Sequence, residues 1–331
     1  MRAVTANGPG NVGGCVLFTL LTTGALLNPA SAQNYPVKTV RIVVPLAAGG
    51  PGDVLARAVG QKLSEITGQP VVVDNRPGAN TNVGNEFVAK APPDGYTLLA
   101  TASTLTINPA LYPKLPYDAI RDFAPISLIG SAPLILVVHP SLPVKSVKDL
   151  VALAKSRPGQ LHYGSAGNGS VLHLAGEMLN TSTGIKLVHV PYKGVTNAFS
   201  DLLGGQISIM FPGAPIALPQ VKAGKLRALG TTGAARTAAA PELPPVADAG
   251  FPGYEISVWY GLLAPAGTVP TVTNKLHAEI NKIVQLPDIK ERWATLGAEP
   301  LHNTPEQFAA FLKADLVKWA KVVRESGAKI D

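Results

Sequence analysis

The sequence predicts an α/β protein of two lobes, on three observations. Short aliphatic runs alternate with helical patterns over residues 40–101, and again over 161–232. Strands alternating with helices build parallel, doubly wound sheets. Two long apolar runs, PLILVVHP (133–140) and WYGLLAPAG (259–267), stand outside these series. Lastly, both series feed a strand into a helix through a loop rich in small, turn-forming residues. A chain that leaves one lobe and later returns to it places a cleft between the lobes, at a hinge. The first lobe is expected over 33–131 with 254–331, the second over 132–253.

Residues 1–32 read as a signal peptide. Arg2 supplies a positive start, CVLFTLLTTGALL (15–27) an apolar stretch, and Ala30-Ser31-Ala32 a small-x-small cleavage site. The apolar stretch is too short for a bilayer span of ~20 residues. It also follows Cys15, where a lipoprotein needs it before the cysteine, so lipidation is rejected. Export to a bacterial periplasm is the expectation. Cys15 is the only cysteine of the chain, so a mature chain would rely on its core without disulfides.

The first series opens with strand candidates 40–45, 70–74 and 96–101 around helices near 53–67 and 82–90. Gly68 suits a helix C-terminus, and Pro92-Pro93-Asp94-Gly95 a turn. The run 133–140 reads as one long buried strand. Ser146 and Asp149 suggest a capped helix that stops at Arg157-Pro158-Gly159. The second series then runs through strands at 161–167, 186–192, 206–211 and 225–232, with helices near 171–180 and 195–203. Residues 233–253, rich in Ala, Pro and Gly, read as a connection. Thr304-Pro305-Glu306-Gln307 starts a final helix, in which Phe308, Phe311, Leu312, Leu316 and Trp319 mark a buried face.

Composition narrows the function classes. The chain is 46% hydrophobic and 15% charged, a core-forming balance. Its formal net charge of +7 is spread without a basic run, which argues against nucleic acid. The six histidines show no metal-ligand spacing. No G-x-S-x-G elbow surrounds Ser165 or Ser170. His173 is read as a structural hydrogen-bonding residue. Gly50-Pro51-Gly52 begins a dinucleotide fingerprint, but Leu55 stands where its last glycine belongs; Asp74 alone does not restore it. Neither cofactor nor metal is expected.

The two loops, around 46–53 and 165–170, carry the chemistry. A helix start exposes backbone N–H groups without intrahelical partners, and its dipole favours an anion by ~0.3–1 kcal/mol. Glycine lets a ligand approach that backbone closely. Two such helix starts, one per lobe, can grip a small carboxylate without an arginine. Asp53 is read first as a helix cap, with ligand contact as the alternative. Ser165, Asn168 and Ser170 are open to either loop stabilisation or ligand contact.

With these residues in view, the chain resembles the Bug family, the periplasmic receptors of tripartite tricarboxylate transporters. The resemblance rests on ordered blocks along nearly the whole mature chain. Among them are AGG-x-x-D-x-x-AR (48–57), GQPVVVDNRPGA (68–79), VAKAPPDGYTLL (88–99), YGSAGNGSVLHLAGE (163–177), HVPYKG (189–194) and GLLAPAGT (261–268). It implies a two-lobed fold of the periplasmic binding-protein type (type II), with a carboxylate held in the cleft between the lobes. It implies ligand contacts from Leu46, Ala48, Gly49, Gly50 and Asp53, from Thr101, Ser103 and Thr104, and from Ser165, Gly167, Asn168 and Ser170. Membrane subunits of such a transporter are the implied partners of a monomeric receptor. Three positions depart from the pattern: Leu46 for a bulky aromatic, Gly52 for threonine, and Pro212 for an acidic residue. The last disfavours a ligand ammonium group and points to a plain mono- or dicarboxylate, aromatic acids included. The alternatives are a carboxylate sensor for a signalling partner and, from another class, an exported hydrolase or oxidoreductase.

Overall fold

The computed structural model describes residues 35–330, together with Thr5. The segment read as a signal peptide lies outside the described residues. Two five-stranded sheets organise the chain. In the first, β1 (Val40–Val44) pairs in parallel with β2 (Val71–Asn75) and β3 (Thr97–Ala102). Next to β3 lies β10 (Ser257–Pro265), antiparallel to it and to the edge strand β4 (Phe123–Pro133). The second sheet repeats this plan. Here β6 (His162–Ser165) pairs in parallel with β7 (Val188–Pro191) and β8 (Ile209–Met210), while β5 (Ile135–Val138) runs antiparallel to β8 and to β9 (Arg227–Thr231).

The expectation of parallel sheets therefore holds for half of each sheet. Strands β5 and β10 each follow a passage from the other sheet, with no crossover helix to turn the chain parallel. The expected long strand over 133–140 is also corrected. It divides at Leu134, where the chain steps from β4 to β5, and Leu134 itself bridges Gly213.

Helices α1 (Pro51–Thr67), α2 (Asn82–Ala89) and α3 (Thr104–Leu111) belong to the first series. Gly68 ends α1 in the left-handed conformation, at φ 68°. In the second series, α4 (Val147–Ser156) is capped by Ser146, α5 (Val171–Thr183) by Ser170, and α6 covers Val195–Leu203. Helices α7 (Ala214–Lys222), α8 (Pro270–Ile283) and α9 (Pro287–Thr295) complete the set before the last, α10 (Pro305–Ser326). The expected capping box of α10 is present, with Thr304 and Gln307 bonded reciprocally.

Helix α10 enters two cores. Phe308 and Leu312 pack with Val43, Leu99 and Leu263 of the first sheet. Two to three turns later, Trp319, Val322 and Val323 pack with Leu136 and Val138 of the second sheet and Leu174 of α5. Phe311, expected on the buried face, is 36% exposed and lies T-shaped against Trp259. Between the two apolar patches, the buried Asp315 accepts hydrogen bonds from Thr106 (2.6 Å), the Trp259 indole (2.9 Å) and the Trp319 indole (3.1 Å). Three elements thus converge on one carboxylate oxygen.

Candidate functional site

A cavity of about 270 Å³ opens at the start of α1. Leu46, Ala47, Gly50, Pro51 and Gly52 form one wall, and Ala102, Ser103 and Thr104, at the end of β3, another. Val258 and Tyr260 of β10 contribute the floor, and Val171 at the start of α5 closes the side nearest the second sheet. The lining holds no ionisable side chain except the tyrosine.

The first loop is held from behind. Asp53 is almost fully buried, and its carboxylate accepts from the Gly49 amide (2.9 Å), Arg57 Nε (3.0 Å) and Asn75 Nδ2 (2.9 Å). Asn75 also donates to the Leu46 carbonyl (3.2 Å) and accepts from Arg57 (2.7 Å). Burial by itself would push the Asp53 carboxyl up; the Arg57, Gly49 and Asn75 hydrogen bonds outweigh it and hold the carboxyl below its ordinary range. The N-cap of α1 is Gly50, with no side-chain cap, so Asp53 ties the loop backbone instead of capping the helix. Gly49, at φ 81°, needs the left-handed freedom of glycine for this turn.

At the end of β3, Ser103 receives the Trp259 amide (3.0 Å), and Thr101 donates to Asn85 (3.3 Å). Thr104 accepts from Thr81 (2.9 Å). Behind it lies a polar cluster in which Asn80, Asn82 and Tyr117 meet around Asn108 and Asn85. Here Ala79, Asn80 and Thr81 all have positive φ, of 44°, 51° and 77°. This conformation is costly for non-glycine residues, and the bond that Asn108 donates to the Asn80 carbonyl and the one that Thr81 donates to Thr104 hold it in place.

The second loop is braced from below by a pair of stacked histidines. The rings of His173 and His189 lie 3.8 Å apart at 12°. His189 Nε2 meets the Ser165 hydroxyl at 2.6 Å, and His173 Nδ1 accepts from the Gly169 amide at 3.1 Å. Ser165 in turn accepts from the Gly167 amide. Burial pushes both imidazoles down to about 4, with the neighbouring His173 adding to the effect on His189. Both rings are therefore neutral near pH 7. The buried Ser165 hydroxyl is occupied by its own loop, so its closeness to His189 braces the turn and presents no free nucleophile.

Of the residues singled out in the sequence, Leu46, Gly50, Ser103 and Thr104 line this cavity. Ala48 and Gly49 lie at the exposed tip of the first loop, and Asp53 and Thr101 lie behind the wall. Ser165, Gly167, Asn168 and Ser170 sit in the second loop, which reaches the cavity through Val171. Tyr260 and Val258 were missed. Their alternation along β10 was the available signal: residues two apart on a strand share a face. Arg57 and Asn75, which fix the first loop, also went unread.

Two sheets of this kind, with a small uncharged cavity at a glycine-rich helix start, define a protein of the periplasmic solute-binding class. Solved structures agree. R. palustris Rpa4515, solved with adipate, is 35% identical, covers 89% of this chain and 100% of its own, and superposes with a TM-score of 0.78. MatC from Rhodopseudomonas palustris, solved with malate, is 31% identical over 87% of this chain and 100% of its own, at a TM-score of 0.74. Protein BugT of Bordetella pertussis is 37% identical over 95% of this chain and 97% of its own length. The chain belongs to the tripartite tricarboxylate transporter family of receptors, whose model matches residues 55–328. The resemblance to Bug proteins read from the sequence is thereby established. Among the described residues, no helix is long and apolar enough to cross a membrane.

Proposed function

We propose that this protein is a non-enzymatic periplasmic receptor that captures a small carboxylate and delivers it to the membrane subunits of a tripartite transporter. The observation that carries this reading is the cavity itself: helix-start backbone faces it, apolar side chains line it, and no basic or acidic side chain enters it. Such a lining receives a carboxylate through backbone N–H groups and shelters an apolar body. An ammonium group would find no carboxylate there, since Asp53 is held by Gly49, Arg57 and Asn75. A plain mono- or dicarboxylate, aromatic or not, is thus favoured over an amino acid. The adipate and malate of the related structures support the class.

In this reading the ligand lies between a lobe of residues 33–131 with 254–331 and a lobe of 132–253. The first loop, the end of β3 and the second loop close on it, and the receptor acts as a monomer. Closure is a shift towards a state in which both loops touch the ligand at once. Titration calorimetry against succinate, adipate, malate, benzoate, aspartate and glutamate tests it, with the bound compound recovered and identified afterwards. One acid bound per chain and recovered unchanged is the expected result. Chemical conversion of the ligand, or aspartate or glutamate as the tightest ligand, would refute the reading as stated.

A further inference from the structure

Five tyrosines of this protein are buried to 7% exposure or less: Tyr35, Tyr117, Tyr163, Tyr254 and Tyr260. Four of them satisfy their hydroxyls inside the protein. Tyr35 donates to the Gly95 carbonyl, Tyr117 to Asn82, Tyr163 to Glu177 and Tyr254 to the Ala175 carbonyl. The Tyr260 hydroxyl has no hydrogen-bond partner among the described residues. A buried phenol ordinarily finds one, so the exception calls for a cause.

The hydroxyl is not sealed in. The fully enclosed, unpaired side-chain atoms among the described residues are Gln220 Oε1, Thr231 Oγ1 and Asn281 Oδ1. Tyr260 instead lines the cavity at the start of α1. Its Cε1, next to the carbon that bears the hydroxyl, lies 3.4 Å from where a Cβ on Gly52 would stand. Gly52 lines the same cavity and occupies the first turn of the 17-residue helix α1. In that turn the Gly52 and Asp53 amides have no intrahelical acceptor, and Gly50 offers no side-chain cap. One unpaired phenol and a helix start with unclaimed donors therefore border the same cavity. Burial pushes the phenol's ionisation up, so it remains a neutral donor at physiological pH.

We propose that Tyr260 is a ligand-contacting, specificity-determining residue, whose hydroxyl donates to the same carboxylate that seats against the first turn of α1. This inference rests on the carboxylate-receptor reading and adds its anchoring side chain. The site then prefers acids with one carboxylate free to enter beside Gly52 and an apolar segment next to it, lying against Leu46, Val171 and Val258. A hydrogen bond to a charged group is the kind of contact whose loss is felt in affinity, while loss of a hydroxyl with no protein partner leaves the fold unchanged.

The test compares wild type with Tyr260→Phe by calorimetry against adipate, malate, hexanoate and benzoate, alongside thermal unfolding without ligand. The expected result is at least tenfold weaker binding of every acid that wild type binds, with an unchanged melting temperature of the free protein. Equal affinities in the two proteins would overturn the role of Tyr260 and leave the receptor reading standing. Failure of wild type to bind any of the four acids, or succinate, would overturn both together. Should Tyr260→Phe melt lower, tyrosine absorbance of the wild type decides, because no other tyrosine lines the cavity. A tyrosine difference spectrum on saturation supports the contact, and its absence overturns it.

Discussion

Asp53 and the two stacked histidines show how single residues set the site without entering it. Asp53→Asn exchanges a carboxylate that ties Gly49, Arg57 and Asn75 for an amide that cannot accept all three bonds. A loss of about 1–3 kcal/mol at neutral pH is expected in urea unfolding. Because the folded carboxyl ionises below its unfolded value of about 3.9, its contribution is complete above that pH and fades as pH falls through the folded value. The difference between the two proteins should shrink accordingly in acid. The histidines act in the same pH direction as Asp53, over a higher range. Their folded values near 4 lie below the unfolded value of about 6.5. Between these limits the unfolded chain takes up protons that the folded chain refuses, so stability falls as pH drops from about 6.5 towards about 4. Glu177, with an oxygen 3.9 Å from His173 Nε2, and the Tyr163 phenol are the ionisable groups beside the pair. His189→Gln should flatten this slope in melting temperatures taken between pH 4.5 and 7. Sequence gave residue types at the loops, but not which of them face inwards. Asp53 could be placed at a helix start; that its bonds run back to Gly49 depended on Asn75, 22 positions away. Tyr260 read as one more apolar strand position, since a phenol's missing partner is visible only in three dimensions.

Elements were legible wherever the chain announces its own ends. Helix α10 carries its capping box in its letters, and Thr304→Ala is expected to cost about 0.5–2 kcal/mol in chemical unfolding. Strand β4 was hidden because Pro125, Gly130 and Pro133 interrupt it; an edge strand tolerates prolines that a central strand does not. Helix α7 was hidden in the same way by Pro215 and Pro219, and α8 and α9 open on prolines whose meaning at a helix start went unused. The role of Asp315 also belongs to this scale. It joins α3, β10 and α10, and Asp315→Ala would strand two indole N–H groups, while the Thr106 hydroxyl keeps the Ser103 carbonyl as an acceptor. The expected penalty is at least about 2 kcal/mol, read as an earlier urea midpoint. A close approach marks α5 against β6: a Cβ on Gly176 would stand 2.2 Å from the Tyr163 ring.

For the whole molecule, a ligand that binds the folded chain and not the unfolded one gives binding a global readout. A carboxylate present at about 100 times its dissociation constant should add about 2.7 kcal/mol to the stability of the folded chain. Small-angle scattering should record a smaller radius of gyration for the liganded protein, if closure accompanies capture as proposed; an unchanged radius would count against closure. Two α/β halves were legible from the alternation of strands and helices, whereas the antiparallel seam in each sheet was not. That seam depends on where a returning strand is inserted, and insertion leaves no local pattern. It does leave a schedule. The second sheet takes all its strands from residues 135–231, so they are all available once the ribosome has passed that point. The first sheet must wait for β10, because residues 257–265 are the wedge that joins β3 to β4. Until they emerge, the half that begins the polypeptide stays in two pieces, and the part of the chain made first is the last to be assembled.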